Sequence, residues 1–588
     1  ELVNVNMQSS LIGSVPSKFS SVLNDAQDPF FENKSREEAE STISDVVMCC
    51  NGAVYFTTNV YVPTAYKSVA YPVLVNEKLK IIDWAIRTDE VLAYRAYLNS
   101  MVSEYSFFVP LIDTVGTPLP EFKNKLVWID PASFYLQKEG YSLKALAFSF
   151  GKNTKNEDKV LADVYDYDDT LGTFVATGDQ LIPDVVTVNN ETRDNDDAKF
   201  VRNRLLDIMD YHIIIGDVED ASVQDEFGYS YFRTKGRGTV RFKNTGAFGD
   251  VTTMSVQGGW QIEHQGMGDE IERPVKILQR VDLSKKTSLT PGNGRTYIID
   301  RPLMPSRKSV YDIVSDTVTY PEFTSFFKVM KAADIFADKS NTNDIGSAKC
   351  ISTFNTYHYT VYIPKNAAVD ALFASGKLMW PEKLQAIENE YELLKLDLED
   401  DYTGPAQSKD SAVNAMFTDS LIVLSQQLFG VADTVGAKAA VANKTNAKYF
   451  TRKKLAQLQN FVKYHIQDNS VYIGADFNAG VDEHGNPATI AEYETAFMNA
   501  NQQFVKLSVK GGADITVSDK NGHTRQVQKI STASGKPYYN IMCREYEVKP
   551  LSGSTLSEGT YTTFSIETSS YAVVHLIDEP LCNGDMIF

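Results

Sequence analysis

Residues that usually perform chemistry are scarce in this chain of 588 residues, which has seven histidines, five cysteines and four tryptophans. The histidines are spread along the chain without the spacing of a metal site. The sequence has no nucleophile-elbow, zinc-protease or phosphate-loop motif, and no pair of its carboxylates can be singled out as a glycosidase pair. We therefore expect a protein that is not an enzyme and that uses no metal and no cofactor.

Long apolar runs are missing as well. No run of 18 or more apolar residues occurs, so no segment is expected to cross a bilayer. Because the sequence opens at Glu1 rather than Met, we expect that a leader was removed or that the chain is a fragment, with any signal peptide or lipid anchor outside it. The net charge of −19 disfavours nucleic acid and anionic lipid as partners.

The cysteines do not form a recognisable framework. Cys49 and Cys50 are adjacent and cannot readily bridge each other, the total is odd, and no C-x-x-C spacing supports zinc. This pattern predicts mostly buried free thiols and leaves one disulfide open.

What the sequence does contain is a repeated closing segment. Residues 293–305, NGRTYIIDRPLMP, are echoed by residues 570–582, SYAVVHLIDEPLC, and aligning Asp300 with Asp578 superimposes the proline and leucine that follow. Each segment is typical of a last β-strand that ends where proline removes a hydrogen-bond donor. The two aspartates are therefore predicted to be turn or cap residues rather than acids that meet a substrate.

Two further elements recur in the same order. The first is a short aromatic strand that runs into a proline, and the second is a helix whose apolar face ends in a Tyr-His pair. A short apolar strand and then hairpins with glycine turns are predicted after each pair. The aromatic strands are residues 105–110 and 359–364, the pairs are Tyr211-His212 and Tyr464-His465, and the apolar strands are residues 213–215 and 471–473.

Helical and hairpin patterns coexist in each copy, which indicates an α+β fold. The copies run from about 75 to 305 and from 306 to 588. Residues 1–64, which end in a weaker copy of the closing segment, are predicted to be the C-terminal part of an earlier copy. Long polar insertions at residues 151–199 and 407–447 account for the size of the copies. As loops, they are where we expect binding specificity.

The ordered set of three motifs resembles the fasciclin (FAS1) domain family. Its pattern combines the aromatic strand with proline, the central Tyr-His and a closing Asn-Gly-x-x-x-x-Ile-Asp-x-x-Leu-x-Pro, and the resemblance covers nearly the whole chain. The middle copy departs from it at Leu111-Ile112-Asp113, and the last copy lacks the Asn-Gly. The resemblance implies tandem domains, each an antiparallel β wedge or sandwich packed with several helices and carrying long insertions.

The resemblance also implies a function. Fasciclin domains are known for adhesion and for binding surface or matrix proteins and glycans, so a non-enzymatic cell-surface or extracellular interaction protein is expected. Long acidic repeats of this kind resemble surface lipoproteins of Bacteroidetes, which implies a lipid anchor in the outer membrane. Six Asp-[Ser/Thr]-aliphatic triplets resemble an O-glycosylation sequon of that phylum; they start at Asp113, Asp169, Asp316, Asp410, Asp419 and Asp433.

An alternative of another class stays open. Surface lipoproteins of this kind can accompany glycan-import systems, which implies a glycan-binding accessory lipoprotein. Its partners would then include components of an outer-membrane glycan importer.

The two Tyr-His pairs are the candidate site. An imidazole titrates near neutrality and can bind metal or move protons, but a histidine at a helix C-terminus, beside unpaired carbonyls, is more often structural. In animal fasciclin proteins the Tyr-His region contributes to receptor contacts, so the resemblance implies a binding role for Tyr211, His212, Tyr464 and His465.

Two other groups of residues have a functional and a structural interpretation. Trp128, Trp260 and Trp380 have flat faces that suit sugar rings, although core packing is favoured for each. The acidic clusters at residues 163–169 and 194–197 have oxygen ligands that suit calcium, but their spacing favours solvated loops.

Overall fold

The computed structural model describes eighteen stretches of the chain. They are residues 41, 43–50, 52–58, 64–88, 94–112, 124–136, 142–168, 170–171, 173–263, 275–284, 292–338, 349–351, 358–445, 448–481, 485–486, 488–531, 537–550 and 564–582. The chain divides into two compact units, one of Glu1–Ala221, Gly228–Ser306 and Val548–Glu567, the other of Ser222–Phe227, Arg307–Glu547 and Thr568–Phe588. That residues 75–305 and 306–588 are fasciclin-like domains, preceded by part of another, stays a prediction.

The first unit contains fifteen strands and six helices among its described residues. Its strands are β1 (Ile43–Cys49), β2 (Gly52–Thr57), β3 (Tyr105–Pro110), β4 (Leu126–Ile129), β5 (Lys144–Lys152), β6 (Asp158–Asp168), β7 (Thr173–Leu181), β8 (Val185–Val188), β9 (Glu191–Asp194), β10 (Ile213–Ile215), β11 (Ser230–Arg233), β12 (Thr239–Asn244), β13 (Met254–Gln257), β14 (Val275–Leu283) and β15 (Gly294–Ile299). Its helices are α1 (Tyr71–Val75), α2 (Lys80–Arg87), α3 (Tyr94–Leu98), α4 (Pro131–Leu136), α5 (Asp196–His212) and α6 (Gly259–Glu263).

A closed ring of seven strands forms the centre of the first unit. The strand order is β10-β3-β15-β14-β13-β12-β11, and a bridge between Ile214 and Thr234 joins the two ends. Neighbours in this order are antiparallel except β3 and β15, which run parallel. Both parallel strands are buried along their whole length. Burial on both faces explains why residues 107–109 and 297–299 are consecutive apolar residues, although β15 also contains the buried polar residues Arg295 and Thr296.

The second unit contains the remaining strands and helices of the described chain. The strands are β16 (Phe336–Asp338), β17 (Lys349–Ile351), β18 (His358–Pro364), β19 (Ile466–Asp468), β20 (Ala491–Met498), β21 (Phe504–Lys510), β22 (Thr516–Ser518), β23 (Thr524–Gln528), β24 (Ile530–Ser531), β25 (Pro537–Tyr538), β26 (Ile541–Pro550) and β27 (Phe564–Ile577). The helices are α7 (Val310–Ser315), α8 (Thr324–Ala332), α9 (Asn366–Ala374), α10 (Pro381–Asp400), α11 (Lys409–Phe429), α12 (Thr434–Ala442) and α13 (Lys448–Tyr464).

The second unit repeats the ring of the first. Its order is β18-β19-β20-β21-β22-β23-β27, and β27 returns to pair with β18. The opening and closing strands are again the parallel pair, from His358 beside Tyr571 to Pro364 beside Ile577. The α+β fold class is confirmed. The expectation of a wholly antiparallel sheet is wrong for both units, because the first and last strands of each ring run in the same direction.

The same hydroxyl anchor recurs on the opening strand of each ring. Ser106 Oγ donates to the carbonyl of Gly216 and accepts the N–H of Val218. In the second unit Thr360 Oγ1 donates to the carbonyl of Asn469 and accepts the N–H of Val471. Each hydroxyl therefore fixes the backbone just after β10 or β19, where the chain leaves the ring.

The strand after the second Tyr-His pair lies earlier than predicted. It is β19, Ile466–Asp468, and not residues 471–473. Ile466 follows His465 directly and pairs with Val361 of the opening strand. Asn469 then adopts a left-handed conformation with φ of 69°, which turns the chain out of the sheet.

The polar insertions are ordered structure rather than loops. In the first unit, β4, β5, β6 and β7 form an antiparallel sheet, and β8 and β9 form a hairpin. In the second unit, the insertion forms α11 and α12, which pack on α10 around the buried side chains of Phe417 and Leu421. The two units therefore carry different structures at the same position, between the opening strand and the Tyr-His helix.

All five cysteines are free thiols, and no helix of the described residues is long and apolar enough to cross a membrane. Cys350 and Cys543 are buried and Cys582 is partly buried. Cys49 and Cys50 are exposed, because they lie at the turn end of the β1–β2 hairpin, so the expectation of burial is wrong for these two.

Gly294 permits the parallel closure of the first ring. Its φ is 145°, and a Cβ there would lie 1.9 Å from the carbonyl oxygen of Tyr105, its partner on β3. Gly216 has a φ of 125° but open space around a Cβ. We expect Gly294→Ala to lower the free energy of unfolding by about 3 kcal/mol or more, and Gly216→Ala by about 1 kcal/mol. Denaturant titration measures both, and equal losses would contradict a steric role for Gly294.

Candidate functional site

The histidine of the first Tyr-His pair connects two distant parts of its unit. His212 is buried at the end of α5, and its Nδ1 lies 2.6 Å from the carbonyl oxygen of Ile208, one helical turn earlier. Its Nε2 accepts the N–H of Leu303 at 2.8 Å. Because Nε2 is an acceptor, Nδ1 carries the proton and donates it to the helix carbonyl. Leu303 is the leucine of the repeated closing segment.

The histidine of the second pair makes the same two bonds. His465 Nδ1 lies 2.7 Å from the carbonyl oxygen of Phe461, and Nε2 accepts the N–H of Leu581 at 3.0 Å. The rings of Phe461 and Phe326 cover the imidazole, with centroids 4.6 and 5.2 Å away. We call this pair of bonds the histidine latch: in each unit, it ties the end of the Tyr-His helix to the chain just beyond the closing strand.

The tyrosines beside these histidines are also buried and hydrogen-bonded. The hydroxyl of Tyr211 donates to the carbonyl of Thr239 and accepts the N–H of Gly259. The hydroxyl of Tyr464 accepts the N–H of Lys520. Both tyrosines therefore fix the Tyr-His helix to hairpin turns of their own ring.

The aspartates of the closing segment hold backbone. Asp300 Oδ1 accepts the N–H of Lys276 at 2.9 Å, and Asp578 Oδ1 accepts the N–H of Gln526 at 3.1 Å. Both donors lie on the ring strand next to the closing strand. The prediction of turn or cap residues is confirmed in this form.

A third buried histidine was not predicted as part of the site. His575 lies on β27 at the position that Tyr297 occupies on β15 when the two closing segments are aligned. Its Nε2 lies 2.8 Å from the carbonyl oxygen of Val471, and its ring stacks on Tyr362. No local signal identified it, because a lone histidine in an apolar strand has many possible partners.

Burial keeps all three imidazoles neutral. It lowers the pKa of His212, His465 and His575 from 6.5 to about 4, since an imidazolium in these positions would lose its hydration. In the latch, a proton on Nε2 would also face a backbone N–H donor. These side chains can therefore hold the fold together. His212 and His465 use both ring nitrogens in the latch, so neither can exchange protons with a substrate or bind a metal while the latch is formed.

The predicted binding role of Tyr211, His212, Tyr464 and His465 stays a prediction. All four side chains lie in the interior of their units. A partner that recognises these segments would meet the backbone and the neighbouring surface rather than the aromatic rings.

The acidic clusters are parts of regular structure, and no group of three or more His, Cys, Asp or Glu side chains in the described chain is arranged to hold a metal ion. Asp163 and Asp166 lie on strand β6 and pair with Lys125 and Lys144. In the second cluster, Asp194 pairs with Arg202 and Asp196 lies in the first turn of α5. The expectation of solvated loops is wrong for these residues, and Asp169 lies outside the described residues.

The tryptophans pack against protein. Trp128 and Trp260 are buried in the first unit. The ring of Trp380 stacks on Phe373 with centroids 3.9 Å apart and an interplanar angle of 9°. Trp128 and Trp260 therefore present no open face of the kind that the sugar-platform interpretation requires, and Phe373 covers one face of Trp380.

Comparison with known proteins gives a weak similarity to a solved structure. A scan against protein-family models and a search of curated proteins each found no match. A solved FAS1 domain pair from the insect cell adhesion molecule fasciclin I matches with 13% identity over 66% of this chain and 83% of that chain, at a TM-score of 0.19. The matched structure belongs to the family that the sequence motifs resemble, but a superposition at this TM-score adds no argument to that resemblance.

Removing the latch should destabilise each unit. We expect His465→Ala to lower the free energy of unfolding by about 3 kcal/mol, because the buried N–H of Leu581 loses its acceptor. His212→Ala should cost a similar amount for the same reason. The control is His523→Ala, whose side chain is 61% exposed and should matter little. Urea titration measures all three, and a loss at position 465 no larger than the control would contradict the latch.

Stability should also fall with acid. The folded-state pKa values lie below the unfolded value, so the stabilisation is complete above pH 6.5 and is lost as the pH falls towards 4. The shift corresponds to roughly 3 kcal/mol for each histidine. In the non-titrating variant His575→Gln, the fall measured by urea titration between pH 7 and 4 should be smaller than in the unmodified chain. Identical pH profiles would show that His575 does not contribute.

Proposed function

We propose that this chain is a non-enzymatic adhesion or protein-interaction protein of the cell surface or extracellular space, built of tandem fasciclin-like domains. The observation that carries the proposal is the repetition of one architecture: the same seven-strand ring, the same parallel closing pair and the same histidine latch occur in both units. The ordered sequence motifs that resemble fasciclin domains coincide with the closing strands and the latch.

The repeated side chains serve the fold, so recognition falls to the parts that differ between the units. The largest difference is the insertion between the opening strand and the Tyr-His helix, which is a sheet in the first unit and a set of helices in the second. Such insertions on a fixed scaffold are free to vary without disturbing the ring.

The helical insertion of the second unit has the surface of a protein-binding element. We define this surface by six apolar side chains of α10–α12 and the turn between α11 and α12 that are 49–82% exposed: Leu393, Leu396, Met416, Val423, Val431 and Val435. Beneath them, Phe417, Leu421 and Leu424 form a small core, so the surface is held on a rigid base. Several exposed apolar side chains on one small helical element favour a contact site there.

The charge of the same helical insertion indicates which kind of partner would bind it. Helix α10 carries seven acidic and two basic residues. A protein with an apolar patch surrounded by basic residues would complement both properties. We therefore propose a basic surface or matrix protein as the partner.

The experiment compares two triple variants in a binding assay. Beads coated with the purified chain are incubated with cells of the organism that produces it, and retention is measured. We expect Leu393→Ser, Leu396→Ser and Val423→Ser together to weaken retention about tenfold. The control changes three exposed valines of the other insertion, Val175→Ser, Val186→Ser and Val188→Ser, and should leave retention unchanged.

Two results would contradict the proposal. Retention that is the same in both triple variants and insensitive to 0.5 M salt would place the contact elsewhere and remove its charged component. Saturable turnover of a peptide or glycan that a single substitution abolishes would show that the chain is an enzyme.

A further inference from the structure

A cleft of about 1030 Å³ opens on the second unit, at the edge of its ring. Its floor is the start of β20, Ala491 to Tyr493, and its wall contains the described residues 478–481, 488 and 490 that precede this strand. A volume of this order suits a small organic ligand or a few sugar rings.

The geometry of the ring explains why the cleft exists. Gln467 of β19 pairs with Thr495 of β20, so Asn469 would face Tyr493 if the pairing continued. Asn469 instead adopts a left-handed conformation with φ of 69°, and β19 ends at Asp468. The segment that joins β19 to β20 is longer than the segment that joins β10 to β11 in the first unit, and it is long enough to supply a wall.

Local hydrogen bonds hold the wall in shape. Asn478 Oδ1 accepts the N–H of Gly480, and the carbonyl of Gly480 accepts the N–H of Ala488 at 2.9 Å. Gly480 has a φ of 79°, and a Cβ at this position would meet open space. The described residues of the wall are therefore tied together at Gly480, which bonds to both Asn478 and Ala488.

The described lining selects against anionic ligands. It contains two amides, one carboxylate and one tyrosine ring, among small and aliphatic side chains, and it contains no basic side chain. A phosphate or carboxylate ligand would find no cation among these residues. The carboxylate of Glu492 lies 3.7 Å from the ammonium group of Lys506, which offsets its charge.

The same lining suits a molecule that combines hydroxyl groups with apolar faces. Amide and carboxylate oxygens accept hydrogen bonds from hydroxyl groups, and amide nitrogens donate to them. The tyrosine ring and the aliphatic side chains Val481 and Ile490 can cover the apolar face of a ring. We infer that the cleft binds a neutral oligosaccharide. This inference does not depend on the proposed adhesion function, because it concerns a different surface.

The test uses saturation-transfer NMR on the full chain. The probes are maltotriose, cellotriose, mannotriose and N,N′-diacetylchitobiose, with sialyllactose and end-blocked trialanine for comparison. We expect saturable transfer to at least one neutral probe, weakened about tenfold by Asn478→Ala and by Glu492→Gln. The matched control is Glu382→Gln, an exposed glutamate of α10 outside the lining, which should bind as the unmodified chain does.

Each other outcome would overturn the inference. If none of the four neutral probes gives a saturable signal, the cleft is not a saccharide site. Binding that survives both cleft variants would locate the saccharide elsewhere on the chain. Displacement of the saccharide by trialanine, or tighter binding of sialyllactose that the cleft variants weaken, would assign the cleft to a peptide or to an anionic ligand. Melting curves of the variants confirm that a lost signal reflects the cleft and not unfolding.

Discussion

Each unit depends on the parallel pairing of its first and last ring strands. β3 lies beside β15 in one unit, and β18 lies beside β27 in the other. The remaining ring strands complete the circle from the opening strand to the closing strand. Parallel pairing of distant segments needs a device that fixes register, since no tight turn joins the strands. In both units the histidine latch supplies one, because it holds the residues just beyond the closing strand against the end of the Tyr-His helix.

The repeat and the main elements of each copy could be predicted from the sequence, because they follow from local patterns. Residues 293–305 and 570–582 do form closing strands, and the Tyr-His pairs do end helices. The direction of closure could not be predicted, because strands buried on both faces lack the alternation that distinguishes pairing partners. The partners of the two latch histidines could not be predicted either, because a backbone N–H of a leucine leaves no pattern in a sequence.

The errors at the insertions have a common physical cause. Strand β7 is mostly exposed, so its sequence is polar and resembles a loop, although it pairs with β6 along most of its length. Polar sequence indicates contact with water, and a sheet with one solvated face satisfies that condition as well as a loop does. The cleft was missed for a different reason, since its lining combines Asn469, residues just before β20 and the start of β20 itself, and no local pattern brings these residues together.

The parallel closure sets an order of events during synthesis. About 190 residues separate the paired strands of the first ring, and slightly more separate those of the second, which predicts slow closure. The insertions are built largely from local contacts, such as the β5–β6 hairpin, and can begin to fold as soon as they leave the ribosome. The opening strand can pair with β10 on one edge, but its other edge must wait until the closing strand emerges. A chain stalled before residue 294 would therefore present an ordered insertion next to an apolar strand with one open edge, which is the kind of segment that chaperones bind.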